Sequence, residues 1–330
     1  MHRLQNAGRS SGAPNRLNVS AAKTPTALPA IKRVGRFAPT PSGDLHIGSL
    51  VAAVASAADI KRHGGDHRIR IDDIDPPRVV EGSIDRICQV LPQFGIPIDG
   101  EIFRQSDSIT RYQQALIELV ERDAVFACTC SRKVLKANNV CAADCRNTRL
   151  TTNRPIDEQL QQFLGRAAVR LDTDSLTDLD GLAVHDEIQS LQSIDDITTL
   201  GTPVVWRKDG YVSYMLATAI DDSDDITDVV RGADLWPESA HQQLIMECLK
   251  RRVPRWMHVP CAVDHQNNKL GKQTRAPSIH NADPLTLLQK VWRFLGQPTP
   301  VCGSLEDFWA HAAATWSLES VPRASAQRID

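Results

Sequence analysis

The fold is decided by the stretch Val34-Gly-Arg-Phe-Ala-Pro-Thr-Pro-Ser-Gly-Asp-Leu-His46-Ile-Gly-Ser49. Its first five residues form an apolar run that predicts a strand, and the following Pro- and Gly-containing turn leads into a helical pattern. Gly64-Gly65 ends that helix, and a second strand is predicted at 68–71. A strand, a helix and a strand in close succession form a βαβ unit, which implies a parallel sheet with a right-handed crossover.

Ligands of such sheets bind beyond the carboxyl ends of the strands, which here carry residues 39–46 and 72–78. In the first segment, a glycine-containing loop that opens a helix offers backbone N–H groups to a phosphate. A lone His-x-Gly would be a plain helix cap with a surface histidine, but the whole string is more specific. In the second segment, the acidic groups can hold an ammonium or a metal, or can form a polar turn.

A third unusual segment is the loop Asn268-Lys269-Leu270-Gly271-Lys272-Gln273. Its two lysines could neutralise a polyphosphate, although taken alone the loop would be a solvated charge run. Elsewhere, the sequence predicts helices at 82–95, 106–123 and 238–251, strands at 203–207 and 259–263, and a helical C-terminal end.

Composition excludes several classes of protein. The 330 residues are 42% hydrophobic and 24% charged, as in a globular protein of about two domains. No run reaches the roughly 18 apolar residues of a membrane helix, so no membrane partner is predicted. The net charge of −2 predicts no polyanion partner by itself, and residues 172–228 hold fourteen acids but two basic residues. The basic run Lys250–Arg255 is the candidate nucleic-acid contact.

Four of the eight cysteines are clustered as Cys128-x-Cys130 and Cys141-x3-Cys145. Four thiolates suit a tetrahedral zinc ion, and a site closed by four sulfurs would be structural. The alternative is a small core of reduced cysteines. The scattered cysteines are expected to be buried thiols rather than ligands: Cys88, Cys248, Cys261 and Cys302.

Taken together, the three strings resemble class I aminoacyl-tRNA synthetases. Their His-Ile-Gly-His signature corresponds to His46–Ser49, and their Lys-Met-Ser-Lys-Ser signature to Lys269–Gln273. The string from Arg36 looks like the glutamyl subgroup. Residues 72–78 and 230–235 are similar to its truncated paralogues, the glutamyl-queuosine tRNA(Asp) synthetases. Only 57 residues follow Gln273, too few for the helical anticodon-binding region of a glutamyl-tRNA synthetase.

The resemblance implies ATP-dependent, tRNA-independent activation of L-glutamate to glutamyl-adenylate, then transfer to the queuosine base of tRNA(Asp). It implies catalytic roles for His46, Lys269 and Lys272, and ATP binding by His46, Gly48, Ser49 and Lys272. It implies that glutamate is bound by Arg36, Thr40, Ser42, Asp72, Tyr214 and Arg231. For Arg231, a surface ion pair with Asp234 is the plain alternative. The implied cofactors are ATP, Mg²⁺ and one structural Zn²⁺, in a cytoplasmic monomer.

Three positions depart from the family pattern. Asp72 stands where glutamate is common, Gly271 where serine is usual, and Cys141 where relatives often have tyrosine. Asp72 is one methylene shorter, and a shift of about 1 Å can cost roughly 10²-fold in rate, so either the backbone compensates or activity is weakened. Gly271 loosens the loop and removes a hydroxyl group.

The fold class expected is α/β: a Rossmann-type parallel sheet with a zinc-bearing insert and a short helical C-terminal part. The expected division is a disordered basic tail at 1–32, with a transit peptide as the alternative, catalytic halves at 33–105 and 200–258, an insert at 106–199, and the signature loop with a helical region at 259–330. Two functional alternatives stay open at this point. One is a glutamate-activating ligase with another acceptor, such as tRNA(Glu), and the other is a catalytically degenerate tRNA-binding paralogue.

Overall fold

A computed structural model of the chain describes residues 32–131, 134–135, 141, 143–179, 181–271 and 277–329. The predicted tail at 1–32 lies outside these residues except for Lys32. Within the described part of the chain, no helix has the length and apolar character needed to cross a membrane.

Twelve strands and eight helices make up the described structure. The strands are β1 Val34–Phe37, β2 Asp66–Ile71, β3 Phe103–Arg104, β4 Val125–Cys128, β5 Ala168–Leu171, β6 Leu182–Asp186, β7 Ser190–Ile194, β8 Val204–Trp206, β9 Asp228–Gly232, β10 Arg255–Val259, β11 Cys261–Val263 and β12 Ala326–Arg328. The helices are α1 Ile47–Arg62, α2 Ser83–Gln93, α3 Ile109–Glu121, α4 Ile156–Phe163, α5 Tyr214–Ser223, α6 Trp236–Cys248, α7 Pro284–Phe294 and α8 Leu305–Thr315.

The central sheet has the strand order β3-β2-β1-β9-β10-β6-β7. All neighbours in it run parallel except β6 and β7, which form an antiparallel hairpin. The predicted unit of β1, α1 and β2 is confirmed, with Val34 opposite Asp66 in the register. Alanines fill much of the buried face of α1, so the helix can pack close to the sheet.

The sheets do not follow the predicted division between insert and catalytic halves. The hairpin β6–β7 lies within 106–199 yet joins the central sheet, whereas β8 pairs with β5 in a separate three-stranded sheet. Strand pairing is set by partners that are distant in sequence, and local patterns do not reveal them.

The C-terminal part contains α7 and α8, in agreement with the helical prediction. It also contains β12, which the prediction did not include and which pairs in parallel with β11. The predicted strand at 259–263 is divided at Pro260 into β10 and β11, because proline has no N–H to donate to a ladder. The Trp316 indole donates to Asp59 of α1 at 3.1 Å, which fixes this region against α1.

Candidate active site and cysteine cluster

The first signature caps the helix that it opens. His46 has an extended backbone, and its Nδ1 accepts the N–H of Ser49 at 3.3 Å. The remaining N–H groups at the start of α1 carry the positive end of the helix dipole, which suits a phosphate. A Cβ atom at Gly48 would lie 2.7 Å from the backbone oxygen of Leu270. Glycine therefore allows the second signature to lie against the first.

The second signature follows β11 as a tight loop. Leu270 donates its N–H to Ala262 at 2.8 Å, and the Asp264 carboxylate accepts the N–H of Asn268 at 2.8 Å. The Lys269 ammonium contacts Asp234, so this lysine is directed at the edge of the cavity. Lys272 lies outside the described residues, and its predicted role stays a prediction.

A cavity of about 770 Å³ opens at the carboxyl ends of β2, β1, β9 and β10. β1 lies between β2 and β9 in the sheet, so the strand order runs in opposite directions on its two sides. Open α/β sheets bind ligands at the position where the order reverses. The predicted glutamate and ATP residues within the described structure all line it: Arg36, Thr40, Ser42, His46, Gly48, Ser49, Asp72, Tyr214, Arg231 and Lys269.

One wall of the cavity is a buried ionic network around Asp222, which sequence analysis did not single out. Arg36 donates to both Asp222 oxygens, from Nε at 3.0 Å and from Nη2 at 2.9 Å. Arg70 donates to the same carboxylate at 2.6 Å. Burial alone would raise the pKa of Asp222, but these two guanidinium groups hold it far below the usual range. The charge of Arg36 is therefore balanced within the protein.

Asp72 belongs to the same network. Its carboxylate accepts from Arg70 Nε at 2.6 Å, and its backbone N–H donates to Pro39 at 3.1 Å. The second contact fixes Asp72 against the loop that follows β1. Burial raises the pKa of Asp72 above its ordinary value, although Arg70 opposes this shift.

Asp221 is the third carboxylate of the network. It accepts from the Tyr112 hydroxyl at 3.0 Å and from Gln105 Nε2 at 2.8 Å. Burial raises the pKa of Asp221 to about 6. Arg111 Nη2 lies 3.7 Å from the same carboxylate, so Asp221 also has a guanidinium partner. Asp72 is the carboxylate of this network that lines the cavity, where it can accept an ammonium group.

A second wall holds Arg231, a residue that is 5% exposed. Its guanidinium donates to His258 Nε2 at 2.9 Å, Gln242 Oε1 at 2.8 Å and Ser239 Oγ at 2.7 Å. All three acceptors are neutral, and no carboxylate of the described residues forms an ion pair with Arg231. Burial lowers the pKa of Arg231. The predicted alternative, a surface pair with Asp234, is wrong because Asp234 contacts Lys269 instead.

One wall therefore presents the Asp72 carboxylate to the cavity, and the other presents the Arg231 guanidinium. A buried guanidinium without a carboxylate is costly unless a ligand supplies one. Tyr214, at the start of α5, and the loop residues Thr40 and Ser42 add polar groups between the walls. This arrangement can bind a small zwitterion that carries both an ammonium and a carboxylate.

Most of the arginine side chains in the basic run at 250–255 bind other residues of the chain. Arg251 pairs with Glu118 at 2.8 Å, Arg255 pairs with Asp228, and Arg252 donates to the backbone oxygen of Ile226 at 2.7 Å. These contacts fix the connection between α6 and β10, so the run does not support the predicted nucleic-acid contact.

The four clustered cysteines come together, as predicted. Their sulfur atoms all lie within 4.8 Å of one another, and the pairs Cys128–Cys141 and Cys130–Cys145 are 3.1 and 3.6 Å apart. Sulfurs around a tetrahedral zinc ion lie about 3.8 Å apart, given Zn–S bonds of roughly 2.3 Å. The cluster can therefore hold a metal ion. Of the scattered cysteines, Cys248 and Cys261 are buried, whereas Cys88 and Cys302 are partly exposed.

Comparison with known proteins agrees with this geometry. Residues 32–285 match the family model of tRNA synthetases class I (E and Q), catalytic domain. In structure, the chain is similar to a glutamate tRNA ligase from Elizabethkingia meningosepticum, with a TM-score of 0.72 and 23% identity over 91% of this chain and 67% of the ligase. The fold and the site thus define a class I tRNA synthetase catalytic domain.

Curated relatives define the family more closely. The glutamyl-Q tRNA(Asp) synthetase of Chromobacterium violaceum is 36% identical over 87% of this chain and 95% of its own length. That of Aromatoleum aromaticum is 38% identical over 88% of this chain and 90% of its own length. The chain belongs to the glutamyl-Q tRNA(Asp) synthetase family.

Sequence reasoning missed the residues that hold the predicted ones in place: Arg70, Asp186, Gln242, Asp221, Asp222 and His258. Asp221 and Asp222 were counted only as part of an acidic stretch. A signal was present, since two consecutive aspartates within an otherwise apolar helix predict buried carboxylates that need partners. His258 gave no such signal, because one histidine in an apolar strand is ordinary.

Proposed function

We propose that this protein uses ATP to activate L-glutamate without tRNA, and then transfers the glutamyl group to the queuosine base of tRNA(Asp). The observation that carries the activation step is the buried guanidinium of Arg231, which has no carboxylate partner among the described residues. Membership of the family and the names of the relatives support the acceptor.

In this proposal, the charges of the two walls bind glutamate. A carboxylate of glutamate accepts from Arg231, and the ammonium faces the Asp72 carboxylate. Arg36 contributes through the N–H groups that Asp222 and Val230 do not use. Tyr214, Thr40 and Ser42 complete the pocket through polar contacts.

ATP then lies between the two signatures. The N-terminal end of α1, with His46, Gly48 and Ser49, binds the nucleotide, and Lys269 and Lys272 neutralise charge on the pyrophosphate as it leaves. The α-carboxylate of glutamate attacks the α-phosphorus, which gives glutamyl-adenylate. Catalysis rests on positioning and on charge stabilisation. Mg²⁺ bound to the ATP phosphates supplies further charge neutralisation.

The metal of the cysteine cluster is proposed to be one structural Zn²⁺, held by Cys128, Cys130, Cys141 and Cys145. Four sulfur ligands leave no open position for a substrate, so this ion would stabilise the small sheet of β4, β5 and β8. Elemental analysis of the purified protein should give one zinc per chain. Cys141→Ser should lose the zinc, whereas Cys88→Ser, the control outside the cluster, should keep it.

The remaining features of the proposal are a monomer that works in the cytoplasm, with tRNA(Asp) as its macromolecular partner. The last point can be tested by filter binding of queuosine-containing tRNA(Asp) over a range of salt concentrations. Phosphate contacts release counterions, so the affinity should fall as salt rises. An affinity independent of salt would count against nucleic acid as the partner.

Two assays test the proposed function. The first is pyrophosphate exchange into ATP with glutamate, glutamine or aspartate and no RNA, for which we expect exchange with glutamate. The second is transfer of labelled glutamate to queuosine-containing tRNA(Asp), unmodified tRNA(Asp) and tRNA(Glu), for which we expect labelling of the first alone. Labelling of tRNA(Glu) would favour an ordinary glutamyl-tRNA synthetase, and silence in both assays would favour a degenerate paralogue.

A further inference from the structure

Arg231 is held by a buried chain of hydrogen bonds that begins at Asp186, the last residue of β6. The Asp186 side chain is fully buried. One of its oxygens accepts the N–H groups of Ile188 at 2.9 Å and Gln189 at 2.7 Å, and the other lies 2.6 Å from His258 Nδ1. An ionised carboxylate only accepts, so His258 donates its Nδ1–H.

The opposite nitrogen of His258 faces Arg231. The Nε of Arg231 lies 2.9 Å from His258 Nε2, and a guanidinium only donates hydrogen bonds. His258 Nε2 therefore carries a lone pair, which is the tautomer that Asp186 imposes. Burial lowers the pKa of His258 to about 4, in agreement with a neutral ring. The ring is fully buried, and the rings of Trp236 and Trp256 lie 5.1 and 6.3 Å from its centre.

The other donors of Arg231 are also directed. Nη2 donates to Ser239 Oγ at 2.7 Å and to the backbone oxygen of Leu235 at 3.4 Å, and Nη1 donates to Gln242 Oε1 at 2.8 Å. The guanidinium lies 4.8 Å from the centre of the Trp256 ring. Four of its five N–H groups thus have acceptors in the described part of the chain, and one N–H of Nη1 remains for a ligand in the cavity.

We propose that Asp186 and His258 are positioning residues for Arg231, which they hold in the orientation that binds a carboxylate of the substrate. This inference rests on the proposed activation of glutamate. Neither residue lines the cavity, so they act only through Arg231. The carboxylate of Asp186 fixes the tautomer of His258, and this tautomer supplies a neutral acceptor for Arg231 Nε. The charge of Arg231 is thereby left for a carboxylate of the ligand.

The test is Asp186→Asn, measured by pyrophosphate exchange with separate titrations of glutamate and ATP. An asparagine amide can donate to Nδ1 of His258, which places the imidazole proton on Nε2. Two N–H groups, those of His258 Nε2 and Arg231 Nε, would then face each other without an acceptor. We expect the KM for glutamate to rise about tenfold or more, as for loss of a hydrogen bond to a charged group. The KM for ATP and kcat should change by less than about threefold.

Two further variants separate positioning from general loss of structure. Asp172→Asn also removes a buried carboxylate that holds two arginines, but Asp172 follows β5 of the three-stranded sheet, so the change should leave the KM for glutamate unchanged. His258→Asn keeps a donor for Asp186 but removes the acceptor for Arg231, so it should raise the KM for glutamate as Asp186→Asn does. It carries the test alone if Asp186→Asn does not fold.

The decisive comparison is Asp186→Asn in a background of Arg231→Gln. If Asp186 acts through Arg231, the second change should add less than about twofold in kcat/KM for glutamate. An equal loss of kcat/KM for glutamate in the wild-type and Arg231→Gln backgrounds, or a parallel rise in the KM for ATP, would overturn the inference. Neither result would affect the proposed function. A wild-type protein without glutamate-dependent exchange would overturn the proposed function and the inference together.

Discussion

The two walls of the cavity use the same residue type in opposite ways. On the wall built from β1, β2 and α5, the charge of Arg36 is matched by the carboxylate of Asp222. On the wall built from β9 and β10, Arg231 is equally buried but is held by neutral acceptors. Burial and position in the cavity do not distinguish the two arginines, whereas charge balance does. A matched arginine stabilises the fold, and an unmatched one is available to a ligand.

The largest effect is expected for Arg231→Gln. Loss of a buried charge that pairs with a ligand carboxylate corresponds to about 3–5 kcal/mol, or roughly 10³-fold in kcat/KM for glutamate. The melting temperature should change little, because no acid among the described residues forms an ion pair with Arg231. Pyrophosphate exchange and thermal unfolding measure the two quantities. A variant with a melting temperature far below that of the wild type would show that Arg231 stabilises the fold. Arg231 would then not differ from Arg36 in this respect.

Arg36→Gln tests the wall built from β1, β2 and α5. The change leaves Asp222 buried with Arg70 as its remaining guanidinium partner among the described residues, so the free energy of unfolding should fall by about 3 kcal/mol. Urea denaturation measures this loss, and Arg36→Gln combined with Asp222→Asn should recover part of it. Unchanged stability in the single variant would show that the Arg36 charge is not balanced by Asp222.

The pH dependence of glutamate binding tests the buried carboxylate network. The pKa of Asp221 is raised to about 6, so this residue is ionised at pH 7.5 and protonated at pH 5. Protonation removes one negative charge from the network that holds Arg70 and Asp72, so the KM for glutamate should rise over this range. Asp221→Asn should show the raised KM already at pH 7.5. A KM that is flat with pH in the wild type would contradict the assignment.

The smallest effect is expected for Gly271→Ser, which restores the residue usual in the family. A Cβ atom there would meet His46 Nε2 at 3.8 Å, an ordinary contact, so activity should change by less than about twofold. Gly48→Ala is the control, because its Cβ would press on the backbone of Leu270 at 2.7 Å. We expect the alanine to lower exchange more than tenfold, and equal effects of both changes would contradict this geometry.

Local patterns predicted the parts of the molecule that local chemistry determines. The unit of β1, α1 and β2 follows from an apolar run, a turn and a helix end, and Cys128–Cys145 follows from ligand spacing. The predicted glutamate and ATP residues were placed by resemblance to a family, and those that the structure describes line one cavity. Their roles stay predictions.

What the sequence did not reveal depends on partners far apart in the chain. Asp222 holds Arg36 across the molecule, Asp186 reaches His258 from a different strand, and β12 pairs with β11 only once the chain has folded back. None of these contacts is marked by a local period or motif in the sequence. The contacts of Asp222 and Asp186 decide which arginine has its charge matched by a carboxylate, and therefore which one a substrate can use.

The most direct measurement is a crystal structure of the protein with bound glutamate. We expect a carboxylate oxygen of glutamate about 2.9 Å from Arg231 Nη1, the ammonium facing Asp72, and Arg36 still paired with Asp222. A glutamate carboxylate that displaces Asp222 from Arg36, while Arg231 keeps only its neutral acceptors, would show that Arg36 rather than Arg231 is the arginine available to the substrate.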